Sequence, residues 1–221
     1  MAKRTNLGTV FTLVVMFIVA LVFWDYPFLY PLKLFVVLLH ELGHGTAAVL
    51  TGGHIHRIEL SANLGGACWS TGGIRALVLP AGYLGSMLFG GLILVGAARS
   101  RHDKLMAIVL GGAVLGLTVL FVRNTFGFLF GLAFGLVLMA AGKFLSPRVN
   151  DLMLKFLGLT SCMYAVVDIK EDLISRTVPG SDAYQMSQVF FLPPVFWGVL
   201  WILIALVVSA YLIRVAARGS G

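Results

Sequence analysis

Five consecutive residues, His40-Glu41-Leu42-Gly43-His44, are where this sequence most clearly sets up chemistry. On an α-helix, positions four apart project from one face, so the two imidazoles can share a metal ion. Glu41, about 100° around the helix from His40, stands beside the water such an ion would activate. This is the ligand-ligand-base arrangement of a zinc hydrolase, with Glu41 as general base and then as the acid that protonates a leaving amine. A catalytic zinc takes three protein ligands and keeps a fourth position for water. The third ligand must come from His54, His56, His102, a cysteine or a carboxylate. Asp168 is the best placed, because it follows Tyr164-Ala165-Val166-Val167 in an apolar helix where an unpaired carboxylate is expensive. Asp172, one turn on, is the second choice, and pairing of Asp168 with Lys170 or Arg176 is the competing reading. Asn124 offers an oxyanion donor or, equally, a helix cap. His54 and His56 alternate on a strand and face one way, as a second metal site or as solvated histidines.

The elements that must position these groups belong to a membrane. The 221 residues are 59% hydrophobic and 11% charged, with a mean hydropathy of +0.98, which excludes an ordinary soluble domain. Apolar runs near 7–25, 31–51, 74–98, 105–122, 125–145, 149–172 and 190–213 predict six or seven crossings in an all-α polytopic bundle, treated as one domain over 1–221. The first run is read as a retained span rather than a cleaved leader. Between the second and third, His54 to Ser70 alternates polar and apolar residues around an Asn63-Leu64-Gly65-Gly66 turn, predicting a short membrane-edge β-hairpin near 54–71. Such a hairpin needs shielding by protein or a wet cavity, and its free edge could pair with an extended peptide. Gly111, Gly112, Gly116, Gly127, Gly131 and Gly135 read as close-packing positions.

A metal also answers an energetic question, since charged side chains at mid-bilayer cost roughly 2.5–3.5 kcal/mol each. Counting crossings, the second and sixth end on the same face, so His40/His44 and Asp168 can meet only if 105–122 and 125–145 are separate spans. The net charge of +7 comes from basic residues clustered at the ends of apolar runs, which read as headgroup anchors and not as a nucleic-acid surface. Cys68 and Cys162 are too few for a disulfide framework and read as free thiols.

The segments His40 to Ala48 with Thr51-Gly52-Gly53, Pro80-Ala81-Gly82-Tyr83-Leu84-Gly85-Ser86 and Tyr164 to Ile169 resemble the site-2 protease class of intramembrane zinc metalloproteases, in its M50B-like branch. Ser181-Asp182-Ala183 and Pro194-Val195-Phe196-Trp197 look similar too. The resemblance implies one zinc per chain on His40, His44 and a distant aspartate, Glu41 as catalytic base, and a helical substrate that unwinds beside the hairpin. Better-characterised members carry that aspartate before glycine, whereas Ile169 follows Asp168 here. The expectation is an integral, multi-pass zinc endopeptidase cutting in or near a transmembrane segment of another protein. The alternative is a transporter or protease-like scaffold using the same His/Asp site.

Overall fold

The computed structural model describes residues 7–171 and 180–218. Helix α1 (Leu7–Val22) leads through a 3-10 turn to α2 (Tyr30–Leu50), whose Pro31 sits in the first turn, where its missing N–H costs nothing. Thr51 and Gly52, at φ 90°, end that helix. Strands β1 (His54–Leu60) and β2 (Gly66–Thr71) follow as an antiparallel hairpin. After it come α3 (Arg75–Val78), α4 (Ala81–Arg99), α5 (Asp103–Phe121), α6 (Thr125–Phe144), α7 (Pro147–Lys170), α8 (Asp182–Phe190) and α9 (Pro194–Ala217). Six of the described helices are long and apolar enough to cross a membrane, and α1 is a shorter apolar helix. The protein is an integral, multi-pass membrane protein.

Three features bear on the expected spans. The run near 74–98 is broken at Pro80 into α3 and α4, because proline cannot donate into the helix ladder. The runs at 105–122 and 125–145 are separate helices, divided at Val122-Arg123-Asn124. The polar stretch before the last span contains α8, capped by Ser181, whose hydroxyl accepts from the Tyr184 N–H at 3.3 Å. At nine residues α8 is too short to hold itself together. Packing holds it, since Ala183 and Met186 bury against Leu79, Tyr83, Ile169 and Trp201.

The hairpin lies along α2. At its base the Thr51 hydroxyl accepts from the Ile74 N–H at 2.9 Å, and at its tip the Tyr30 hydroxyl donates to the Ala62 carbonyl at 2.6 Å. Thr51 follows the last residue of α2 and Tyr30 is its first, so the strands run back beside the whole helix. Ile58 and Leu60 face the core with Phe35, Val36 and Leu38. A bulge between Ile55 and Arg57 shifts the register, which leaves His54, His56 and Arg57 exposed and Ile58 buried.

The glycines divide. A Cβ on Gly111 would meet the Gly135 carbonyl, one on Gly131 the Thr118 side chain, and one on Gly127 the Asn124 side chain, so these are close-packing positions. Gly112 and Gly116 have open space where a Cβ would go and do not serve that purpose.

Candidate metal centre and cavity

Helix α2 presents His40 and His44 one turn apart, and their Nε2 atoms are 3.0 Å from each other. The Asp182 Oδ2, carried in by α8, lies 3.2 Å from His40 Nε2 and 3.1 Å from His44 Nε2. These three side chains form the group of His, Cys, Asp and Glu close enough to share an ion among the described residues. The triangle fits the donor set of a zinc centre, because arms of about 2.0–2.1 Å at tetrahedral angles put ligand atoms about 3.3 Å apart. Asp182 is outside the membrane-spanning helices. Burial alone would raise its carboxyl, but the imidazoles of His44 and His40 outweigh that and hold it below the usual carboxylate range.

The rear nitrogens of the imidazoles are held differently. His44 Nδ1 is 2.8 Å from the Val78 carbonyl, next to the α3–α4 break, which leaves Nε2 to face the centre. Among the described residues His40 Nδ1 is buried without a hydrogen-bond partner, and Asp168 Oδ2 stands 3.7 Å away. The expected meeting of α2 with the end of α7 therefore occurs, with Asp168 behind the ring of His40 and Asp182 at the front. Asp172 lies outside the described residues.

Space for the imidazoles comes from α4. A Cβ on Gly82 would fall on His40 Nε2 and His44 Nε2, and one on Gly43 would strike the Ala81 backbone. Tyr83 adds an edge contact to His40, with centroids 4.7 Å apart at 85°. The Ala-Gly-Tyr segment singled out in the sequence is thus the wall against which the histidines are set.

Glu41 is 5% exposed and lies against β2, so close to Gly66 that a Cβ there would collide with its carboxylate. It lines a cavity of about 820 Å³ together with His40, His44, Asp168, Asp182 and the β2 stretch Gly66 to Ser70. The outer edge of β1 is already used. The Arg123 N–H donates to the Ile58 carbonyl at 3.1 Å, while the Asn124 amide accepts from Leu60 N–H at 3.0 Å and donates to Leu60 O at 2.7 Å. Opposed residues of an antiparallel pair direct their backbone groups the same way, both inward or both outward. Ile58 pairs with Cys68 and Leu60 with Gly66, so Cys68 and Gly66 turn their backbone groups toward the cavity, where the Cys68 N–H donates to the Glu41 carboxylate.

Asn124 stands at the N-cap position of α6, but its side chain bonds the Leu60 backbone at the β1 edge in place of the helix, and it is not among the cavity residues. His54 and His56 are outside the cavity, on the exposed face of the hairpin base. Both cysteines are free thiols. Cys68 lines the cavity, and burial, followed by the nearby Glu41 charge, pushes its thiol up to about 12. Asp182 is the member of this His-His-Asp group that sequence reasoning did not place beside the imidazoles. Its signal was the Ser181-Asp182 helix start, an acid on a helix that must bury its apolar face.

A family model described as Peptidase M50B-like matches residues 13–212. No curated protein and no solved structure shows a significant match to the chain.

Proposed function

Because the chain belongs to the M50B-like family of M50 site-2 proteases, we propose that it is an intramembrane zinc endopeptidase whose metal is held by His40, His44 and Asp182. The carrying observation is the 3.0–3.2 Å triangle of two imidazole nitrogens and one carboxylate oxygen at the cavity wall, one residue from a buried glutamate. M50 peptidases are zinc-dependent in general, and bound zinc would supply Lewis-acid activation of water at neutral pH.

The chain's own residues supply the rest. Glu41 accepts the proton of the attacking water and returns it to the departing amine. The Val78 carbonyl orients His44 by a hydrogen bond, and Asp168, 3.7 Å from the rear nitrogen of His40, orients that ring by charge. The outward N–H and C=O groups of Gly66 and the Cys68 carbonyl hold an unwound substrate segment as an added strand next to Glu41, to which the Cys68 N–H donates. Such a segment satisfies its backbone on β2, which a membrane interior otherwise forbids. The substrate is a transmembrane segment of another protein that loses its helical bonds at the cavity.

Reconstituted protein with a panel of labelled single-span substrates tests this. The wild type is expected to cut within or near the span, and Glu41→Gln to retain zinc while losing cleavage. Zinc transport into vesicles that survives Glu41→Gln, with no cleavage by the wild type, would replace the reading with a transporter.

A further inference from the structure

A second set of metal-binding side chains stands at the base of the hairpin, away from the catalytic cavity. His54 and His56 project from the exposed face of β1, with ring centroids 4.4 Å apart at 79°. Both address one atom. Thr71 Oγ1, on β2, is 3.0 Å from His56 Nε2 and 2.9 Å from His54 Nε2, with His54 Nδ1 at 3.4 Å. The hydroxyl can donate to one ring and accept an N–H from the other, and each neutral imidazole carries one nitrogen lone pair, so a cation taking the proton's place would meet two nitrogen donors and the hydroxyl oxygen. The neighbouring charge does not oppose one, because the Arg57 guanidinium is bonded to Glu59 Oε1 at 2.8 Å and lies over the Trp69 ring.

We propose that His54 and His56, with the Thr71 hydroxyl, form a second, surface-exposed site for a borderline divalent transition ion such as Zn²⁺, Ni²⁺ or Cu²⁺. Two imidazoles with one oxygen suit these ions and not Mg²⁺ or Ca²⁺, which demand more oxygen ligands. The site is weaker than the catalytic one because it has no carboxylate and remains exposed. An ion there clips β1 to β2 at the open end of the hairpin, where Ser70 and Gly72 line the cavity. This inference stands without the proteolytic reading.

The test is metal content of the purified full chain in detergent after dialysis against Zn²⁺. The wild type should take up about two equivalents, His54→Ala/His56→Ala about one, and His40→Ala/His44→Ala about one. Retention of the second equivalent by the hairpin variant, or its failure to appear in the wild type, overturns the proposal. A variant that loses both equivalents has lost its fold. Cu²⁺ added to zinc-loaded wild-type protein then decides the matter, since the site requires an electron paramagnetic resonance spectrum with hyperfine coupling to two imidazole nitrogens, and a spectrum without it rejects the site.

Discussion

His40/His44 and His54/His56 are two histidine pairs built on different elements, and only the first sits where chemistry can follow. The helix pair is spaced four residues apart and brings its Nε2 atoms to 3.0 Å, with Asp182 in front, Val78 and Asp168 behind, and Glu41 one residue away. The strand pair is spaced two apart and converges on a hydroxyl in the open. The nitrogens are alike; the surroundings are not. A metal site becomes catalytic through its carboxylate, its buried base and its walled-off cavity.

The two pairs differ most in what the neighbouring Glu41 adds to the first. Glu41→Gln should reduce cleavage by at least about 10²-fold with zinc content unchanged, since general-base catalysis contributes about 10²–10⁴. His54→Ala/His56→Ala should leave cleavage within about twofold of wild type at stoichiometric zinc, because neither residue reaches the cavity.

The difference sharpens at the wall of the first pair. Gly82→Ala places a methyl group against both Nε2 atoms and should lower cleavage by about 10²-fold, the scale of a misplaced catalytic group. Gly112→Ala, facing open space, should be neutral or stabilise by about 0.5–1 kcal/mol in a thermal or denaturant melt.

The carboxylates differ by their place around the ring. Asp182→Ala should abolish stoichiometric zinc binding, whereas Asp168→Ala should keep the metal with affinity weakened about 10-fold, the low end for loss of an outer partner, because Asp168 stands 3.7 Å from His40 Nδ1 and not in a hydrogen bond. Competition with a chromophoric chelator measures both. The smallest effect is at Cys68. With its thiol pushed up to about 12, alkylation should be slow at pH 8 although the residue lines the cavity. The rate should rise about tenfold per pH unit toward that value as thiolate forms, read by mass spectrometry.

Local patterns were legible because their physics is local. Four-residue spacing put His40 and His44 on one face, alternation marked the hairpin, and apolar runs located the spans to within a few residues. The runs at 105–122 and 125–145, which left the count at six or seven, are two helices, so the condition for α2 and α7 to meet holds. What failed to show was long-range. Asp182 is 138 positions from His44, and it reaches the imidazoles because α8 docks through Ala183 and Met186 on Tyr83 and Trp201, a contact no periodicity encodes. Asp168 had the stronger sequence signal, a carboxylate in an apolar helix, and it does stand near His40. Burial alone could not say which side of the ring it would face. Asn124 substitutes for a strand partner along Leu60, a role that an amide between two helices does not announce.

The most direct measurement is the anomalous signal at the zinc absorption edge in crystals of zinc-loaded Glu41→Gln protein. The expected result is a single strong peak bonded to His40 Nε2, His44 Nε2 and Asp182, with Asp168 outside bonding distance. A peak bonded to Asp168 in place of Asp182, or a folded protein with no peak between the two imidazoles, would rule out a zinc centre on His40, His44 and Asp182.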